Sequence, residues 1–211
     1  MWVFKGPLNL PEGGYATIDT LFIIAPWVFL MLIPAVTMRS FAEEKRSGTL
    51  DLLLTRPLSI LQLAFAKYAA AVVLILLSLI PTLVFYFSII RLGNPVGNID
   101  HGGTWGSYTG LLMLACGYAA IGIFCSSLTD NPVISFILAA LLSLFFCYGF
   151  EQTGNMLAGG RSGSFIVNLG MMDHYQSMSR GVIDTRDIVY FLAIIIIFLL
   201  MTRSVLEHKK R

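Results

Sequence analysis

Four long stretches of this chain, Thr20–Met38, Tyr68–Ile90, Trp105–Leu128 and Pro132–Phe150, contain no Asp, Glu, Lys or Arg. A fifth, Ile188–Leu206, is interrupted only by Arg203 near its end, where a long side chain can extend to the membrane interface. Apolar runs of about 18 or more residues suffice to cross the hydrocarbon core as helices. Five such runs leave no room for a sizeable soluble domain. Charged residues make up 12% of the chain, against roughly 25% in globular proteins. A β-barrel would show short alternating segments instead. The expected fold is all-α: a polytopic membrane protein, 1–211, forming a single transmembrane domain.

Lys and Arg counts set the orientation. The first loop holds Arg39, Lys45, Arg46, Arg56 and Lys67, and the tail Arg203, Lys209, Lys210 and Arg211. The alternate compartment holds Lys5, Arg91, Arg161, Arg180 and Arg186, so the balance is nine against five. The first loop and the tail are therefore expected in the cytoplasm. Aromatic residues at the opposite ends (Phe85, Tyr86, Phe87, Trp105, Tyr108, Phe145, Phe146, Tyr148, Tyr190, Phe191) fit an interfacial belt. Cys116, Cys125 and Cys147 all fall inside spans and read as small hydrophobes.

The charged stretch Arg39–Pro57 lies between two apolar runs in a chain that otherwise avoids charge. Ser40 and Glu43 match a capping box opening a short helix, which Gly48 would end. Thr49–Thr55, with Leu50, Leu52, Leu53 and Leu54, reads as a second short element closed by Pro57. Ser59 and Gln62 then cap the helix leading into the second span. The result is an elbow with a charged face and a leucine face.

Pro26, Pro34 and Pro81 lie inside spans and are candidate gating kinks. Gly102, Gly106 and Gly110, continued by Ala115 and Ala119, form a small-residue stripe suited to close packing within the chain. Between Glu151 and Arg186, a glycine-rich part precedes a semi-apolar part. There Phe165, Ile166, Leu169, Met171 and Met172 suggest interfacial or re-entrant helices.

Several chemistries are excluded. No Gly-Lys pair exists for a phosphate-binding loop, and no H-E-x-x-H for zinc. Gly160–Gly163 matches an intramembrane-protease pattern, but no span supplies the histidine base that such chemistry requires. The span cores lack the ionisable groups of a proton-coupled transporter. Energy for active transport would have to come from a partner.

The segment Thr37–Ser59, TMRSFAEEKRSGTLDLLLTRPLS, set between two spans, resembles the ABC-2 class of ATP-binding-cassette transporter permeases. Leu92–Asp100, Gly106–Leu111, Ser126–Asn131 and His174–Phe191 resemble more narrowly the permease subunit of the gliding-motility-associated ABC transporter. His174–Phe191 is also similar to permeases that assist maturation of nitrous oxide reductase. The resemblance implies a non-enzymatic, multi-pass subunit of the bacterial cytoplasmic membrane, in an exporter linked to motility or envelope assembly. Its implied partners are an ATPase subunit, which binds the ATP, a second permease subunit, and further motility proteins.

By the same resemblance, Ser40, Phe41, Glu43, Glu44, Lys45, Arg46, Gly48, Thr49, Asp51, Leu52 and Leu53 form the coupling helix that docks on the ATPase. No cofactor, metal or catalytic residue is implied. The family pattern has six spans, with re-entrant helices before the last. It places a cytoplasmic helix and a first span ahead of Met1, with Met1–Phe4 as that span's end, so about 25 to 35 further residues are expected upstream. The alternative is a membrane scaffold that moves no substrate.

Overall fold

The computed structural model describes residues 19–54, 59–92, 100–156, 167–182 and 184–210. Every element among them is helical. The expectations for Met1–Phe4, Thr55, Pro57, Gly160–Gly163, Phe165 and Ile166 concern residues outside the described ones.

Five helical stretches are long and apolar enough to cross a membrane: Asp19–Arg46, Ile60–Arg91, His101–Leu128, Pro132–Gly154 and Thr185–His208. The five expected spans are all present, with different edges. The second starts at Ile60 rather than Tyr68, because Lys67 finds polar partners inside the bundle and need not end the helix. The third starts at His101 rather than Trp105, because the Asp100 carboxylate accepts from the Gly103 N–H at 3.0 Å and caps it.

The first span is α1 (Asp19–Thr37), followed by the short α2 (Arg39–Arg46) and α3 (Thr49–Leu54). Pro26 and Pro34 lie within α1 without dividing it. The second span is α4 (Ile60–Leu79), a 3₁₀ turn at Ile80–Thr82, and α5 (Leu83–Leu92). Pro81 sits in that turn; it lacks the amide an α-helix needs, and its ring crowds the carbonyl one turn back. The third span is α6 (His101–Leu128). The fourth is α7 (Pro132–Leu144), a π turn at Phe145–Gly149, and α8 (Phe150–Met156). Finally α9 (Met171–Ser179) precedes the last span, α10 (Thr185–Lys210).

Helix α6 is the centre. Within its most apolar window 72% of residues are buried, against 17% to 39% in the other spans. Its small side chains permit this, since close approach of backbones is what holds helices together in lipid. The stripe read from the sequence packs within the chain, but unevenly. A Cβ at Gly106 would lie 2.4 Å from the Met178 carbonyl oxygen, and one at Gly110 3.1 Å from Met178 Cβ. At Gly102 the nearest atom is a carboxylate oxygen of Asp100 at 3.4 Å, so that position carries no helix contact. Ala115 and Ala119 are fully buried.

The partner of the stripe is α9. Met171 reaches the Gly117 position, while Met178 and Gly181 press on Gly106 and Gly103. Gly181 has φ +84°, a conformation that favours glycine. Helix α9 thus runs antiparallel to the first half of α6, inside the bundle. Met171 is buried rather than facing lipid, whereas Leu169 is exposed. The Tyr175 hydroxyl donates to the Phe22 carbonyl at 2.7 Å, tying α9 to α1. The aromatic belt is similarly divided: Phe85, Phe87, Trp105 and Phe145 are exposed, but Tyr86, Tyr108 and Phe191 are buried. The three cysteines are free and buried.

Gly106→Ala should cost about 1–3 kcal/mol, because a methyl there meets backbone rather than a movable side chain. Gly102→Ala should be neutral or slightly stabilising. Thermal unfolding of the two purified variants checks this order, and equal midpoints would remove the α6–α9 seam from the account.

Candidate functional site

The elbow begins as a continuation of the first span. Met38 keeps helical angles (φ −55°, ψ −31°), and its N–H donates to the Pro34 carbonyl at 2.9 Å. Consequently Ser40 lies inside α2 and does not cap it, contrary to the capping-box reading; no side chain within the segment caps this helix. The cap comes from across the fold. Ser126 Oγ, near the end of α6, accepts from the N–H groups of Phe41 at 2.9 Å and Ala42 at 3.1 Å. It donates in turn to the Met38 carbonyl at 2.9 Å. One hydroxyl thereby accepts from two N–H groups that the start of a helix leaves unpaired and donates to the carbonyl before them.

After α2 the chain reverses at Gly48, whose φ is +71°. Nothing lies within 4 Å of where its Cβ would be. The requirement is therefore for a left-handed backbone and not for space. The helix α3 then leads back, and at its far side the Ser59 capping box is complete, with Gln62 N–H to Ser59 Oγ at 3.2 Å and Ser59 N–H to Gln62 Oε1 at 3.0 Å.

Nine of the eleven residues expected to form one docking set separate into two groups. Phe41 and Leu50 point inward with almost no exposure, as does Ala42. Lys67, on α4, donates to the Ser40 carbonyl and pairs with Glu44, both at 2.5 Å, with its ammonium 4.8 Å above the Phe41 ring. Lys45 is buried to 4% side-chain exposure; it donates to the Ser127 carbonyl and lies 4.0 Å from Asp130. Ser40, Phe41, Glu44 and Lys45 therefore hold the elbow to the bundle. Arg39, Glu43, Arg46, Gly48, Thr49 and Leu52 are exposed, while Leu53 is half-buried. Asp51 lies in α3.

On the outward side a groove of about 510 Å³ runs between Arg39, Glu43 and Arg46 on α2 and residues 131–133 at the start of α7. Mixed charge over a partly apolar surface suits a protein partner. Among the described residues no group of three or more His, Cys, Asp or Glu is placed to hold a metal ion. Sequence reasoning missed Ser126. Its only local sign was a Ser-Ser pair ending an apolar run.

The proline set is scattered along the bundle, and of its three members only Pro81 coincides with a break in a span. The hydroxyl of Tyr108 on α6 donates to the Thr82 carbonyl in that break at 3.0 Å.

The family model described as "ABC-2 family transporter protein" matches residues 6–203. No curated protein matches the chain.

Ser126→Ala should cost about 0.5–2 kcal/mol, the range for a lost helix cap, and should loosen the elbow first. Hydrogen exchange at the Phe41 and Ala42 amides should accelerate relative to α6. Unchanged protection at those two positions would show that Ser126 is not their cap.

Proposed function

Because the chain belongs to the ABC-2 family of transporter proteins, we propose that its elbow, residues 40–55, couples a partner ATPase to movement of the membrane helices. A permease subunit of this class works with an ABC ATPase and the lipid bilayer. ATP binds the partner, and the elbow faces the cytoplasm of a bacterium, as the Lys and Arg balance favours.

The observation that carries the proposal is the division of the elbow. Its outward face (Arg39, Glu43, Arg46) is exposed, while its inward face is fastened to α6 through Ser126 and to α4 through Lys67. A push on the outward face therefore reaches two spans through short polar contacts. Pro81, and to a smaller degree Pro26 and Pro34, supply places where spans can bend. The substrate pathway lies between two permease subunits, and apart from charges toward their ends, such as Lys67 and Asp187, the spans carry none that would select a substrate.

Within this class the chain acts in an exporter serving gliding motility or envelope assembly. Support for the finer reading is the likeness of His174–Phe191 and its companion segments to motility-associated permeases.

Two experiments test these statements. Reversing Glu43 and Arg46 together (Glu43→Arg, Arg46→Glu) should abolish co-purification of the ATPase while leaving the permease folded, since both side chains are exposed. Full recovery of the complex would refute docking at the elbow. Deleting the gene in its native bacterium should stop surface motility or alter an exported envelope component; a strain unchanged in both would leave only the coarser assignment.

A further inference from the structure

At the end of the bundle remote from the elbow, His174 of α9 lies against the start of α10. Its Nδ1 is 2.7 Å from Asp187 Oδ1, and its Nε2 is 2.9 Å from the Asn168 carbonyl oxygen. The ring stacks on Tyr190 at 3.9 Å and meets the edge of Phe191. The Tyr190 hydroxyl donates to the Leu169 carbonyl at 2.5 Å. Asp187 is 5% exposed, and its Oδ2 has no hydrogen-bond partner among the described residues.

Both ring nitrogens thus face oxygen acceptors. A neutral imidazole carries one N–H and cannot donate to both. If that proton sits on Nε2, the Nδ1 lone pair opposes a carboxylate oxygen at 2.7 Å. If it sits on Nδ1, the Nε2 lone pair opposes a carbonyl oxygen at 2.9 Å. In either tautomer a nearly buried carboxylate also loses its counter-charge, which is costly. The arrangement is satisfied only with one further proton, held on the ring or on Asp187.

We propose that His174 and Asp187 form a proton-dependent latch that fastens α9, with the turn before it, to the last span. The latch closes when the site holds the extra proton and opens when pH rises and the proton leaves. Asp187 and Tyr190 of α10 are the titratable groups in contact with the ring. Asp173 shares its helix, Arg180 follows that helix, and Arg186 stands beside Asp187 on α10. Tyr108 and Tyr118 on α6, Cys147 and Tyr148 in the π turn, and Glu151 on α8 belong to the elements packed nearby. Opening would free α9 along the Gly106–Gly117 face of α6, where the two helices are in closest contact. The device is independent of the ATPase assignment, because its groups lie at the other end of α6.

Spin labels on the full-length protein test the latch. Gln176→Cys on α9 and Val189→Cys on α10 are both exposed. They are placed in a background with Cys116→Ala, Cys125→Ala and Cys147→Ser, the last keeping an acceptor for Tyr118. Distance distributions are compared at about pH 5.5 and about pH 8.5, which bracket the range where histidines change charge. The low-pH sample should give one narrow separation, and the high-pH sample a second, longer one. The ratio of the two should change by up to roughly tenfold per pH unit, as for a single linked proton.

His174→Phe keeps the stacking, removes both bonds, and should show the longer separation at both pH values. Asp187→Asn removes the buried charge and supplies an N–H to Nδ1, so it should stay closed at both. Identical distributions of the unaltered latch at the two pH values would overturn the proposal. So would a pH shift that persists in Asp187→Asn, a variant that serves even if His174→Phe fails to fold.

Discussion

Among the described elements, α1, α2, α4, α7, α9 and α10 all pack against α6, and they take their positions from the close approach that it permits. A helix in lipid gains little from burying apolar side chains against its neighbours, since the lipid tails are as apolar as they are. What remains is short-range packing and hydrogen bonding, and α6 is built for both. At Gly122 a Cβ would lie 2.0 Å from Thr37 Oγ1, and at Gly106 it would meet the Met178 carbonyl, so α1 and α9 sit where only a hydrogen atom fits. Gly106 and Ser126 are 20 residues apart along α6, about 30 Å at helical rise, which is the thickness of the hydrocarbon core. The α9 seam and the elbow are therefore anchored at opposite membrane surfaces by one continuous rod.

The elbow illustrates how charge is handled at the edge of such a bundle. Glu44 and Lys67 are partly buried, and an ion pair removed from water gains stability only if its remaining protons find acceptors. Lys67 meets that condition with the Ser40 carbonyl and the face of Phe41, whereas Glu44 Oε2 is buried with no hydrogen-bond partner among the described residues. Lys45 meets it with the Ser127 carbonyl. Charges that look alike in sequence thus have opposite duties. Glu44 and Lys45 face the protein, while their neighbours Glu43 and Arg46 face outward.

That division also marks what was legible in the sequence. The five spans were readable because length and the absence of charge are properties of a segment by itself. The Ser59 cap was readable for the same reason: donor and acceptor lie three residues apart. Ser40 carried the same local pattern, yet the chain arrives there already helical and the groups needing a cap meet Ser126 instead. A contact across 84 residues leaves no periodic trace. Gly106 and Gly110 were visible at their four-residue spacing, but Gly117 falls outside that register, and Gly122, although on it, is separated from them by Leu114 and Tyr118. The π turn at Phe145–Gly149 had no signal in a run that was apolar throughout. Of the candidate site, the place was legible and the facing of its side chains was not.

The break at Ile80–Thr82 gives these anchors a mechanical consequence. It divides the second span into an inner piece, α4, and an outer piece, α5. The inner piece is tied to the elbow through Lys67 and Glu44. The outer piece is tied to the start of α6 through Tyr86 and His101, 2.8 Å apart. Between them the only polar tie to α6 among the described residues of the break is the Tyr108 hydroxyl on the Thr82 carbonyl, at 3.0 Å. Under the proposed coupling, a displacement of the elbow loads α4 while α5 stays with α6. Strain then falls on the three residues where Pro81 has already removed a helical hydrogen bond. The second span is thus the softest of the connections that start at the elbow, and the first span, which its two prolines bend less and do not interrupt, is the stiffer.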